Sequence, residues 1–95
     1  MRNYELLMII SPEVAEEDIT GTLDKVSEYV SARGGTVTET NHWGRRKLAY
    51  PISHFREGNY VLTHLQLEPG TTAELEANLR ISEKILRHLL VRKED

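Results

Sequence analysis

Tyr4-Glu5-Leu6-Leu7-Met8-Ile9-Ile10 is apolar on both of its alternating faces, with Tyr4, Leu6, Met8 and Ile10 on one and Leu7 and Ile9 on the other. Successive side chains of a strand point to opposite sides. This segment therefore reads as a central strand, covered on both sides or covered on one and awaiting a partner on the other. Ser11-Pro12 stops it. Serine is a good N-cap, proline suits a first helical turn, and Glu13, Glu16, Glu17 and Asp18 complement a positive helix N-terminus, so a helix is expected to open here. Ile19, Leu23, Val26 and Val30 then recur at helical spacing, and Gly34-Gly35 ends the helix.

Thr36 to about Ala49 is rich in threonine and poor in large aliphatic residues, which predicts a long edge strand, with Pro51 placed where it ends. Gly58 to Leu67 predicts another strand, with Tyr60, Leu62 and His64 on one face and Val61, Thr63, Leu65 and Leu67 on the other. Pro69-Gly70 turns the chain. Thr71 and Glu74 stand at capping-box spacing before a short helix that carries Leu75 and Leu79. Ile85 to Val91 predicts a last strand, apolar on both sides except at Arg87 and His88, whose faces a one-residue register shift exchanges. The order strand, helix, strand, strand, helix, strand predicts an α+β fold: a ferredoxin-like split β-α-β sandwich, its four-stranded antiparallel sheet carrying two helices on one face. The other face is then available for binding. No linker or repeat interrupts the pattern, so residues 1–95 are expected to form a single domain.

Composition narrows the function. The chain is 39% apolar and 28% charged with a net charge of -3, as in an ordinary soluble globule. No apolar run approaches the roughly 18 residues that span a bilayer, and no small-residue cleavage site follows the first apolar run, which argues against a signal peptide. The absence of cysteine excludes disulfides and thiolate metal sites and fits a reducing compartment, with the cytoplasm the default.

The charge is unevenly spread. Glu13 to Glu28 holds six acids and one base, whereas Lys84, Arg87, Arg92 and Lys93 form a segment without an acid, as do Arg45, Arg46, Lys47 and Arg56. Local field rather than net charge decides what docks on a given face. Catalysis needs a convergent set of groups, and there is no Gly-x-Ser-x-Gly, phosphate loop or Gly-x-Gly-x-x-Gly. Acylphosphatases share the expected architecture, but Ser11-Pro12-Glu13 is acidic where they carry a glycine-rich phosphate loop. His42, His54, His64 and His88 lie on different segments without metal-ligand spacing. The expectation is a protein without enzymatic activity, cofactor, metal or small-molecule substrate.

A binding surface remains. Trp43 stands among Arg45, Arg46 and Lys47, and Tyr4, Tyr60 and His88 offer flat groups across the sheet with Arg2, Arg87, Arg92 and Lys93 around them. Cations meet phosphate, and planar faces meet unpaired bases. Core packing is the competing reading of Trp43 and Tyr60. The strand Asn59-Tyr60-Val61-Leu62-Thr63-His64-Leu65 lacks two aromatics and the second glycine of an RNA-recognition motif, so that mode of reading single-stranded RNA is not expected.

Gly44-Arg45-Arg46-Lys47-Leu48-Ala49-Tyr50-Pro51-Ile52 resembles the motif Gly-x-basic-x-Leu-Ala-Tyr-x-Ile of one family, that of the sixth protein of the bacterial small ribosomal subunit. Met1-Arg2-Asn3-Tyr4-Glu5, Gly58-Asn59-Tyr60, and Leu79-Arg80-Ile81 followed by Ile85-Leu86-Arg87 fit that family too, so the likeness spans essentially the whole chain. The resemblance implies a ferredoxin-like fold and a structural role in translation on the cytoplasmic ribosome. It also implies binding to the central domain of small-subunit ribosomal RNA, as a heterodimer with small-subunit ribosomal protein eighteen. On this reading Arg2, Tyr4, Arg45, Arg46, Lys47, Arg87, Arg92 and Lys93 are the expected RNA contacts, and Trp43, Tyr50, Tyr60 and His88 the expected protein contacts. Many relatives carry an extended, often acidic tail where this chain has Lys93-Glu94-Asp95, a departure from the family's pattern that puts the contacts of such a tail in doubt. The alternative from another class is a homodimeric sheet-face module that binds a small regulatory ligand.

Overall fold

A computed structural model describes residues 1–93; Glu94 and Asp95, the end of the expected domain, lie outside the described residues. The elements follow as β1 (Arg2–Ile10), α1 (Glu16–Ala32), β2 (Thr36–Ile52), β3 (Phe55–Leu67), a 3-10 turn (Pro69–Thr71), α2 (Thr72–Arg80) and β4 (Ile85–Lys93). The sheet order is β2-β3-β1-β4, and every neighbouring pair is antiparallel. β2 therefore runs parallel to β1 with β3 between them, and β4 runs parallel to β3 with β1 between them. Each crossover unit is split by a strand of the other, which is the expected ferredoxin-like sandwich.

Alternation along β1 sorts the two faces. Leu6, Met8 and Ile10 are fully buried and Tyr4 nearly so, whereas Leu7 and Ile9 remain partly exposed. Ile19, Val26 and Val30 of α1, Leu75 and Leu79 of α2, and Val61, Leu65 and Leu67 of β3 join the buried row in one core. Burying one such side chain contributes roughly 1.5–3 kcal/mol, and this core holds both helices against the same side of the sheet. Tyr60, Leu62 and His64 on the opposite side of β3 are only half-buried. That side is the open face.

Three local expectations are corrected. α1 opens later than Ser11. The buried Ser11 donates its amide to the Lys84 carbonyl (2.8 Å), accepts the Glu13 amide on Oγ (3.2 Å) and accepts the Val14 amide on its carbonyl (3.1 Å). Ser-Pro is as good a turn signal as a cap signal, and here it makes the turn. The helix begins at Glu16 behind Ala15, which supplies no side-chain cap, and Glu16, Glu17 and Asp18 occupy its first turn. Its other end is as expected: Gly34 takes a left-handed φ of 81°, and the amides of Gly34 and Gly35 close a Schellman motif on Ser31 and Val30, each at 3.0 Å.

The capping box at Thr71 does not form. The Thr71 hydroxyl donates back to the Glu68 carbonyl (2.8 Å), and the Glu74 carboxylate accepts instead from Arg33 (2.9 Å). β2 also continues past Ala49 through Pro51 to Ile52. The ladder is irregular between Lys47 and Ile52, so no pairing there demands the amide that proline lacks.

Candidate functional site

The distal half of β2 shapes the open face. At the irregularity between His42 and Gly44, Gly44 adopts a φ of 81°, where a Cβ is costly, and the extra residue bends the strand. Trp43 is thereby laid beside Tyr60 of β3, the ring centroids 6.4 Å apart and the planes within 8° of parallel. Beyond the bulge Arg45, Arg46 and Lys47 pair with Asn59, Gly58 and Glu57, so the three cations alternate between the faces.

Arg46 belongs to the open face, its guanidinium 5.5 Å from the Trp43 ring. Arg45 points the other way, donating to the Pro12 carbonyl at 2.8 Å and pairing with Glu57 at 3.2 Å. It fastens the β2–β3 hairpin to the turn before α1, and its charge is met locally. Lys47, like Arg46, has no carboxylate partner among the described residues.

Past Lys47 the hairpin leans toward β4. The Arg87 guanidinium donates to the Tyr50 hydroxyl and lies over the Tyr50 ring, 5.7 Å from its centroid. Between hairpin and sheet runs a groove of about 290 Å³, lined by Leu7, Ile9, Leu48, Ala49, Tyr50, Ile52, Tyr60, Arg87, His88 and Leu89. Tyr50 and Leu89 are 55% and 58% exposed, so this apolar surface is presented to the outside rather than used in the fold. Among the described residues no cluster of histidine and carboxylate side chains is placed to hold a metal ion.

The expected contact residues divide. Trp43, Tyr50 and Tyr60 gather on the open face, with Arg46 and Arg87 beside them. Lys93 shares that face at the far end of β4, 3.9 Å from Glu5. Arg2 and Arg92 pair with Leu67 and Tyr4, which places them on the helix-bearing face. Those two cations are therefore not beside Tyr60 as expected, and two ring placements are corrected as well. Tyr4 is only 7% exposed and is part of the core, so it offers no flat surface beside Tyr60. His88 pairs with the buried Met8 and sets Nε2 3.2 Å from Glu76 of α2, so its ring turns away from the open face. The even-numbered row of β1 carries both residues to the helix side.

Leu7, Ile9, Leu48 and Leu89 were not among the expected contacts, yet they make the groove apolar. Their signal was the apolar character of β1 and β4 on both alternating faces. In strands covered by helices on one side only, that character leaves apolar groups on the other.

Comparison with known proteins gives the family. The sequence model of the family described as Ribosomal protein S6 matches residues 3–92. The chain is 43% identical over 93 residues to the small ribosomal subunit protein bS6 of Desulforamulus reducens, covering 98% of each. It is 40% identical over 95 residues to that of Caldanaerobacter subterraneus subsp. tengcongensis, covering 100% of both. The crystal structure of 30S ribosomal protein S6 from Thermotoga maritima superposes with a TM-score of 0.89 at 31% identity, over 97% of this chain and 87% of that one.

Proposed function

The chain belongs to the ribosomal protein S6 family, and from that premise we propose that it binds the central domain of small-subunit ribosomal RNA as a heterodimer with small-subunit ribosomal protein eighteen. As a family member it is a structural constituent of the small ribosomal subunit, acting in translation and not as an enzyme. The observation that carries the finer reading is an apolar groove on the open face of a sheet whose strands also carry cations unpaired among the described residues. The groove under the hairpin is apolar and suits a segment of a protein partner. Arg2, Arg46, Lys47, Lys84 and Arg92 have no carboxylate partner among the described residues and are available to phosphate, whereas Arg87 is engaged by Tyr50 at the groove.

These cations fix register on the RNA backbone rather than read sequence. They act against a net charge of -3, so the chain alone binds RNA weakly and the composite surface supplies most of the affinity. Tyr50 and Tyr60 contact the partner from the groove. Tyr4 and His88 drop out of the contact set, because the fold uses one in the core and turns the other to α2.

Light scattering tests the protein half of the reading. The chain alone runs as a 10.9 kDa monomer, and mixing with the partner gives a one-to-one complex. Leu89→Asp puts a charge on the groove without touching the core and abolishes the complex. A complex that survives this change moves the partner elsewhere, and a stable homodimer of the chain alone supports the ligand-binding module instead.

A further inference from the structure

We propose that Trp43, Tyr60 and Arg46 form a stacking site for one unpaired nucleobase of RNA. The inference rests on the RNA-binding reading above and deepens it, adding a nucleotide contact beside the protein groove. Trp43 is 42% exposed, so its indole is not spent on the core. The rings are near parallel with centroids 6.4 Å apart, so each keeps an outer face that the other does not cover. Arg46 adds a third planar group 5.5 Å from the indole, with N–H donors for a base edge or the adjoining phosphate.

Charge selects the occupant. No acid lies between Glu39 and Glu57, and Arg45 already engages Glu57. Arg46, on the same face as the two rings, has no carboxylate partner among the described residues, so its charge is available to a phosphate beside them. The two flanks of Tyr60 differ accordingly. Toward Ile9 and Leu48 it borders the apolar groove, and toward Trp43 it borders an aromatic and cationic patch. An aromatic platform beside cations accepts any base, because every base has a π-face.

Trp43 is the chain's single tryptophan, so its fluorescence reports the site directly. The experiment adds the presumed partner to the wild-type chain, then titrates in a central-domain fragment of small-subunit ribosomal RNA, and repeats the titration with Trp43→Ala and Trp43→Phe. The emission is expected to be quenched by the RNA and not by the partner alone. Trp43→Ala is expected to weaken RNA binding about tenfold, with Trp43→Phe near wild type. Light scattering should show the same heterodimer for all three chains. Wild-type RNA affinity in Trp43→Ala overturns the stacking site and leaves the parent reading intact. So does an emission change that is complete with the partner alone. No RNA binding by the wild-type pair overturns the parent reading and this inference with it.

Discussion

Gly58 and Ile9 meet across the open face so closely that a Cβ on Gly58 would stand 2.5 Å from Cγ2 of Ile9 and 3.3 Å from the Ile10 carbonyl oxygen. The missing side chain is what lets β3 and the hairpin end lie flat on β1. Gly58→Ala is expected to cost about 1–3 kcal/mol, as overpacking does, in urea denaturation. Combining it with Ile9→Ala should recover part of that loss, and strictly additive losses would show that the clash is not the cause.

The three consecutive cations are not equivalent, and their variants should separate. Arg45→Ala releases the Pro12 carbonyl and Glu57, so it is expected to lower stability by up to about 1 kcal/mol with little change in the salt dependence of RNA binding. Arg46→Ala and Lys47→Ala should leave stability unchanged. Each should flatten the plot of log affinity against log salt by roughly 0.7 to 0.9 for each phosphate it no longer neutralises. Unchanged slopes for both would remove them from the RNA interface.

Much of this was legible in the sequence because alternation and helical spacing carry it. The two faces of β1 and the apolar stripe of α1 followed from side-chain period, and the sheet order from the order of elements and the handedness of the crossovers. What was hidden depended on long-range or ambiguous cues. Ser11-Pro12 signals a cap and a turn alike. The faces of Arg45 and Arg46 depend on the bulge at Gly44, which shifts the alternation of everything beyond it. Arg45 ends on the Pro12 carbonyl, 33 residues away, through a contact that no local pattern encodes.

The hairpin tip holds removable strain. Ser53 and His54 both have positive φ, 48° and 75°, in the two residues between the paired Ile52 and Phe55. Such a turn favours Asn-Gly. The double change Ser53→Asn, His54→Gly is expected to stabilise the protein by about 1 kcal/mol, read as a higher melting temperature with unchanged partner binding. A lower melting temperature would contradict that origin of the strain.

α1 and α2 are clasped at one corner. Tyr29 donates its hydroxyl to the Glu74 carbonyl at 3.1 Å, and the Arg33 guanidinium lies 3.6 Å over the Tyr29 ring while bonding the Glu74 carboxylate. Tyr29→Phe removes one hydrogen bond and keeps the ring, so a loss of about 1 kcal/mol is expected. RNA and partner binding should be untouched, because neither Tyr29 nor Arg33 is among the proposed contacts. Impaired binding at full stability would add this corner to the contact surface.

RNA affinity, on the reading proposed above, belongs to a surface the chain shares with its partner. A gel shift on a central-domain fragment of small-subunit ribosomal RNA tests this most directly. It is run at fixed salt with this chain alone, the presumed partner alone and both together, any accessory protein the fragment requires being present throughout. A shift is predicted only when both are present. A full shift by this chain alone would contradict the shared surface, and no shift in any lane, with folded protein and competent RNA, would contradict the role itself.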